Sequence, residues 1–309
     1  MRVEEELKEL IPHGETVLTV GVFDGVHLGH QRLLEYVKRQ AMLGHHIPGV
    51  VTFRSHPLHT ISPETPISYL TSLEERIKLI QGLGVELVVP LSFDHELARL
   101  SARQFLALLR THLKMRGLVV GPDFALGRNR EGDVVALHDL GKELGIWVEV
   151  VHPEVIDGDV VSSTSIRQAL ADGDISKVNR LLGRDFALSG RVAHGRERGK
   201  QLGFPTANLA VSSDQAVPAD GVYATKAQLA GRIYGSVTNI GKRPTFGPGE
   251  RTVEVYLVDF DGVAYEEEIR IDFIERLRAE KRFDTPDELK AQINDDVEKA
   301  LSILEKVAR

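Results

Sequence analysis

The chain has 309 residues and a mass of 34.2 kDa, which at about 100 to 200 residues per domain predicts two domains rather than one oversized core. Apolar residues make up 42% and charged residues 27%, and no cysteine is present, which excludes disordered, collagen-like and membrane classes, disulfides, thiolate catalysis and Cys-ligated metal centres. The net charge of -7 repels a nucleic-acid backbone over most of the surface, yet a small anion can still be held by local Arg side chains and backbone N–H groups.

The first ten residues, MRVEEELKEL, are acidic where a secretory signal needs a basic start, and no apolar run approaches the ~18 residues of a membrane span. A cytoplasmic protein without membrane attachment is expected. From Thr16 to Val151 the β-branched runs VLTVGVF, VVTF, LVVPL, LVVG and WVEVV alternate with amphipathic stretches. This βαβ rhythm predicts a parallel sheet covered by helices on both faces. In SLEERIKLIQGLG, Ser72 and Glu75 form a capping-box pair, Leu73, Ile77 and Ile80 share a face, and Gly82 or Gly84 ends the helix. SARQFLALLRTHLK sets Phe105, Leu108, Leu109 and Leu113 at helical spacing.

After Arg184 the pattern changes to short strands punctuated by turns: ALSGRV, GVYATKAQL, RIYGSVTNI, TVEVYLVDF and AYEEEIRIDF. Asp261-Gly262 reads as a two-residue hairpin between the last two. A small antiparallel barrel is predicted. A helix starting at Thr285-Pro286 closes it, with Glu288 completing a capping box and Leu289, Ile293, Val297, Leu301 and Leu304 forming one stripe. The domains join closely through LLGRDF around residues 183–186, with no long linker and no internal repeat.

Gly21–His30, GVFDGVHLGH, follows the first strand and opens the first helix, where phosphates meet helix N-termini in an open α/β sheet. Gly21, Gly25 and Gly29 permit tight turns and close backbone approach, while His27 and His30, three apart, can face one ligand. Such a pair suits a polyphosphate, because nucleotidyl transfer needs donors aimed at the charge building on departing pyrophosphate. A single histidine on such a turn is ordinarily a cap or a surface residue; the ten-residue string gives the pair its weight. Downstream, VSSTSIR at Val161–Arg167 offers hydroxyls and a guanidinium at a helix start, where Ser and Thr are ordinarily N-caps.

The string GxFDGxHxGH resembles the nucleotide-binding loop of the HxGH nucleotidyltransferase superfamily, in the FDG form of the adenylyltransferase module of bacterial FAD synthetases. The resemblance implies catalytic roles for His27 and His30 and ATP contacts at Gly21, Phe23, Asp24, Gly25 and Gly29. VSSTSIR is similar to that family's SSTxIR loop, implying phosphate contacts from Ser163, Thr164 and Arg167. TFRSHP at Thr52–Pro57 resembles a TFxxHP loop, which implies His56 near the nucleotide. VGPDFALG, ending at Gly127, resembles the loop after the fourth strand and adds Asp123, with Phe124 also matching. Pro122, Leu126 and, to a smaller degree, Val22 depart from the family pattern, which bears on the local flavin or adenine contacts more than on the reaction.

In the second half, Gly195, Gly199 and Gly203 invite comparison with a P-loop, but GRERGKQ lacks its spacing and its Ser or Thr after Lys. The segment still reads either as a phosphate wrap, with Arg196, Arg198 and Lys200 as donors, or as a basic turn. The extended string GxxxGxxLGFPTAN resembles the ATP and magnesium site of riboflavin kinases. It implies ATP binding by Gly195, Gly199, Lys200, Gly203, Pro205, Thr206 and Asn208, with Thr206 and Asn208 holding Mg²⁺ through the oxygen donors that a hard ion takes. GVYA at Gly221–Ala224 and TNIGKRPTFG at Thr238–Gly247 look like later parts of the same domain.

The alternation in RTVEVYL makes Glu254 a solvent-facing strand residue, since Val253 and Val255 turn to the other face. The same Glu matches the TVE position of riboflavin kinases, which implies the general base for the ribityl 5′-hydroxyl. LRAEKRF at Leu277–Phe283 fits the family's LRxExxF segment and implies flavin contacts from Arg278 and Phe283.

Taken over the whole chain, the resemblance is to bifunctional riboflavin kinases and FAD synthetases. It implies a Rossmann-like HxGH adenylyltransferase domain at residues 1–183 and an antiparallel riboflavin kinase barrel with a C-terminal helix at 184–309. ATP is the co-substrate of both, riboflavin and FMN are the acceptors, and neither nucleic acid nor membrane is a partner. The sequence leaves the oligomeric state open, a homo-oligomer included. Two other readings stand beside this one: an adenylyltransferase for a different phosphorylated acceptor, and a flavin-binding protein whose catalytic sites have decayed.

Overall fold

The structure is a computed structural model describing residues 1–193, 203–242, 251–262 and 264–307. Its contacts fall into two compact units, Met1–Ser163 and Thr164–Arg309. The sequence-based boundary at 183/184 lies further along, and most of the helix Ser163–Asp172 and all of Ile175–Leu182 belong to the second unit.

The first unit is built on five parallel strands: β1 (Thr16–Val20), β2 (Ile47–Phe53), β3 (Leu87–Leu91), β4 (Met115–Val120) and β5 (Trp147–Val150). Their order is β3-β2-β1-β4-β5. The central strand β1 is buried at every residue. Successive side chains of a strand enter opposite faces. Leu18, Val51 and Leu118 accordingly join one apolar cluster with Leu106 and Leu109, while Val17 and Val119 join another with Val37 and Ala41. Both faces are thus covered by helices, which is why these runs read as continuously apolar. The chain builds outward from β1 through β2 to β3 and then returns to pair β4 with the other edge of β1. Loops at the carboxyl ends of β1 and β4 therefore meet at a topological switch point. Gly117 of β4 lies under the Trp147 ring, where a Cβ would come within 2.1 Å of it. A two-stranded ribbon, β6 (Val155–Ile156) with β7 (Asp159–Val160), follows β5.

Local signals set the helix boundaries. Ser101 and Gln104 form a complete capping box on Ala102–His112, and the Ser72 hydroxyl accepts the Glu75 N–H at 3.1 Å to open Leu73–Gly82. The latter helix buries Ile80 as expected, but its other buried side chain is Arg76, outside the expected stripe.

In the second unit the strands β8 (Phe186–Ala193), β9 (Thr206–Ala210), β10 (Gly221–Leu229), β11 (Arg232–Lys242), β12 (Arg251–Leu257) and β13 (Glu268–Arg278) close into a barrel in the order β10-β11-β12-β9-β8-β13. Phe186, Tyr223 and Phe273 pack inside it, with ring centroids 5.4–5.9 Å apart. The barrel corrects two expectations. Asp261-Gly262 is not a hairpin, because β12 already pairs with β11 and β9, and β13 crosses to pair with β10 and β8. The tight two-residue turn is Ala230-Gly231 between β10 and β11, both residues at positive φ. The helix Pro286–Val307 keeps Leu304 buried and Leu289, Ile293 and Val297 half-buried as expected, but it leaves Leu301 exposed and adds Asp296 and Ala300 to the buried face. The carboxylate of Asp296 pairs there with Arg278 at the end of β13.

Asn179 ties the helix Ile175–Leu182 to the barrel. Its amide donates to the Phe273 carbonyl at 2.8 Å and to Asp185 Oδ1 at 3.2 Å, and its Oδ1 accepts the Phe186 N–H at 2.8 Å. Ile175, Val178, Leu181 and Leu182 are each at most 1% exposed. A fragment beginning at residue 164 should therefore unfold cooperatively, and one beginning at 184 should melt lower by on the order of 10 °C, since each kcal/mol is worth a few degrees at this size. Calorimetry of the two fragments checks this.

Candidate active sites

The segment between β1 and its helix is a tightly tied loop. Phe23, Gly25 and Val26 all have positive φ, at 56°, 82° and 40°, a conformation that is costly for a β-branched residue. Several bonds hold it. The Asp24 carboxylate accepts the N–H groups of Leu70 at 2.9 and 3.0 Å and of Thr71 at 3.1 Å. The Gly25 N–H donates to Thr71 Oγ1 at 3.0 Å, and the Ser163 hydroxyl donates to the Asp24 carbonyl at 2.9 Å. Gly21 donates to the Val51 carbonyl at 3.0 Å, tying the loop to β2.

The loop delivers the two histidines to the start of Leu28–Leu43. His27 is the N-cap, its Nδ1 accepting the His30 N–H at 3.3 Å. With Nδ1 accepting, the ring's proton sits on Nε2. The two rings stack at 3.6 Å, 17° from parallel, and Phe23 lies 5.0 Å from His30. Burial, and then electrostatic interaction with His27 and Arg76, hold the His30 pKa well below the usual imidazole range. His30 Nδ1 is buried and meets no hydrogen-bond partner. Gly29 fits a tight space here, since a Cβ would lie 3.2 Å from the His27 ring and 3.3 Å from the Val161 carbonyl.

The remaining expected residues of this half are placed as follows. His56 caps the short helix Pro57–Ile61 through Nδ1, and its N–H donates to the Tyr69 hydroxyl at 2.6 Å. Asp123 is exposed, with its carbonyl accepting from Arg130 at 3.0 Å, while Phe124 packs on the core. Leu126, one of the departures, is itself a core residue, 8% exposed. Ser163 belongs to the first unit; Thr164, exposed, and Arg167, half-buried, belong to the second.

The second unit presents a polar row on its barrel. Glu254 of β12 stands opposite Asn208 of β9 and opposite Asn239 of β11. Directly opposed residues of antiparallel strands share a face, and Thr206, two residues before Asn208, joins that face. Val253 and Val255 are buried in the interior, while Glu254, Asn208, Thr206 and Asn239 are half-buried. Glu254 is thus not the fully solvated residue that bare alternation predicts. Gly203, at φ 89°, and Pro205 are exposed ahead of β9. Gly195, Gly199 and Lys200 lie outside the described residues.

Arg278 is gripped by Asp296, with Nε 2.9 Å and NH2 2.8 Å from Oδ2, and its guanidinium lies 5.8 Å from the Phe283 ring centroid. Sequence reading missed Asp296 because it sits in what looks like the solvent face of a helix. It also did not single out Asn239, although that residue lies within the matched string TNIGKRPTFG, or Arg76, which looks like one of the charged residues of an exposed helix face.

Comparison with known proteins separates the same two halves. A family model described as FAD synthetase matches residues 11–165, and one described as riboflavin kinase matches residues 182–304. A bifunctional riboflavin kinase/FMN adenylyltransferase of Escherichia coli (strain K12) is 38% identical over 287 residues, covering 92% of this chain and 91% of that one. One of the same description from Pseudomonas fluorescens is 39% identical over 308 residues, covering 98% of each. A crystal structure described as a macrolide-efflux protein from Streptococcus pneumoniae superposes with a TM-score of 0.87 at 30% identity, covering 96% of each chain. Among the described residues no helix is long and apolar enough to cross a membrane. The two matches in this order, with relatives sharing the chain nearly end to end, make it a member of the bifunctional riboflavin kinase/FMN adenylyltransferase family.

Proposed function

We propose that the chain converts riboflavin to FAD in two ATP-dependent steps. The second unit transfers the γ-phosphate of ATP to riboflavin, giving FMN and ADP; the first joins FMN to the AMP part of a second ATP, giving FAD and pyrophosphate. The observation that carries this reading is the pair of family matches, in order, on one chain. Both reactions are in-line displacements at phosphorus, for which positioning and charge neutralisation supply most of the catalysis.

In the kinase step Glu254 accepts the proton of the ribityl 5′-hydroxyl as that oxygen attacks the γ-phosphorus. The donor set beside it fits a magnesium ion: Thr206, Asn208 and Glu254 offer only hard oxygens on one half-buried face. A magnesium ion held there would complete its shell with water and phosphate oxygens. Thr206 and Asn208 would hold Mg²⁺, which when bound neutralises charge on the phosphates. Arg278, fixed by Asp296, and Phe283 beside it flank the flavin.

In the adenylyl step a phosphate oxygen of FMN attacks the α-phosphorus of ATP and pyrophosphate leaves. His27, with its proton on Nε2, donates to the oxygens on which charge accumulates. His30 stays neutral and stacks against His27, holding that ring in place. The stretch Gly21–Gly25 forms the cradle for the phosphates, with Ser163 securing it through the Asp24 carbonyl.

Incubation of the protein with riboflavin, ATP and Mg²⁺, with flavins separated chromatographically over time, should yield FMN first and FAD after it. Flavin bound without any turnover would instead support a decayed, flavin-binding protein. In the same assay Glu254→Gln should slow FMN formation by about 10²- to 10⁴-fold and leave the conversion of added FMN to FAD nearly intact. His27→Ala should slow FAD formation alone by about 10²- to 10³-fold.

A pH dependence follows from His30. Its folded pKa lies below its unfolded one, so as pH falls below about 6.5 the unfolded chain takes up a proton that the folded chain refuses. Stability is therefore full above that pH and declines below it. Thermal midpoints of the first unit measured between pH 5 and 7.5 should fall less steeply on acidification in His30→Gln than in the parent.

A further inference from the structure

Arg76 is among the largest fully buried side chains of the protein, 1% exposed, on a helix whose packing an apolar residue would serve as well. Burying a guanidinium is expensive, and replacing buried charges by apolar groups often leaves a fold as stable or more so. Its position therefore calls for a reason other than packing. Burial draws its pKa down, opposed chiefly by the charge of Asp24; as an arginine it nonetheless stays cationic.

Its contact supplies the reason. NH1 donates to the Val22 carbonyl at 2.5 Å, and the same carbonyl accepts the Thr52 hydroxyl at 3.0 Å. Two donors from different elements, the helix Leu73–Gly82 and strand β2, thus fix one peptide. No peptide among the described residues is cis. In a trans peptide the C=O and the following N–H point in opposite directions, so the Phe23 N–H is turned away from Arg76 and Thr52. It has no acceptor among the described residues. An N–H group at the carboxyl end of the central strand, next to a helix start, is the kind of donor that receives a phosphate oxygen.

The same stretch of chain grips the loop a second time. Leu70 and Thr71, just before the helix that carries Arg76, bind the Asp24 carboxylate two residues beyond Val22. Between and beyond these two anchors lie the positive-φ residues Phe23, Gly25 and Val26. At Phe23 and Val26, which unlike Gly25 pay for positive φ, strain of order 1–3 kcal/mol each persists only where surrounding contacts over-determine the backbone.

We propose that Arg76 is a positioning residue for adenylyl transfer: its guanidinium, with the Thr52 hydroxyl, locks the Val22–Phe23 peptide so that the Phe23 N–H is held toward the nucleotide phosphates. The assignment rests on the reading of Gly21–His30 as the nucleotide loop. Arg76 itself touches no reacting atom; it acts through the backbone of the loop.

The test uses the full chain, with riboflavin phosphorylation by the second unit as the internal standard of enzyme concentration. A misplacement of about 1 Å from a change away from the chemistry costs about 10²-fold. Arg76→Met should accordingly lower kcat for conversion of FMN to FAD by about 10²-fold, with the KM for ATP changed less than about 3-fold. Arg76→Lys, which keeps a donor within reach, should recover about a tenth or more of the parental kcat. Thr52→Val, which removes the other donor and leaves Arg76 in place, should lower kcat in the same sense with KM unchanged. A merely structural role gives the opposite pattern, a lower thermal midpoint with parental kcat per folded unit. If Arg76→Met does not fold, Arg76→Lys and Thr52→Val decide: parental kcat in both overturns the proposal. Absence of FAD formation in the parent itself would instead overturn the reading on which the proposal rests.

Discussion

The carboxylate of Asp24 is 2% exposed, and the loop after β1 is organised around it. A charge removed from water must be met by donors, and here backbone N–H groups of Leu70 and Thr71 meet it, with the Arg76 guanidinium nearby adding opposite charge. Because those donors belong to a segment 46 residues away, satisfying one side chain welds the connection before Leu73–Gly82 to the mouth of the central strand. The positive φ angles of the loop, the N-cap at His27 and the stacking of His27 on His30 are downstream of that weld. The positive φ angles of Phe23 and Val26 are unfavourable for those residues, and they are held because the alternative leaves a buried carboxylate unpaired.

The two halves solve the problem of handling phosphate differently. In the first, a parallel sheet ends in loops, and the proposed site is made of backbone and imidazole at a helix start. In the second, a closed barrel carries a row across three strands, Asn208, Glu254 and Asn239, fixed by the register of β9, β12 and β11. A register slip of one residue would turn every member of that row inward. The burial of Val253 and Val255 on the opposite face is what forbids the slip.

What could be read from the sequence follows the range over which each signal acts. Strand runs, the helix cap at Ser72, and the change from βαβ to all-β rhythm depend on residues within a few positions of one another, and the structure carries them where they were expected. Asp261-Gly262 failed because a local hairpin signal says nothing about which strand edges are already taken. Within the inner face of the C-terminal helix Asp296 escaped because periodicity counts apolar residues, while here a buried carboxylate answers Arg278. Arg76 and Asn239 escaped for the same reason: their significance lies in what faces them from distant parts of the chain. The family strings singled out His27, His30 and Glu254 as candidates where spacing alone left each of them an ordinary cap or strand residue.

Gly117 has a further consequence through the ring it accommodates. Trp147 is the sole tryptophan of the chain, and it lies on a strand of the first unit, seated over β4. Tyr223, Tyr234, Tyr256 and Tyr265 all lie in the second. Indole emission excited at the red edge, where tyrosine does not absorb, therefore reports on one unit only, so the parallel-sheet half carries its own optical label. Unfolding of the sheet can be followed by that emission while the barrel remains silent, without a cut in the chain or an added dye.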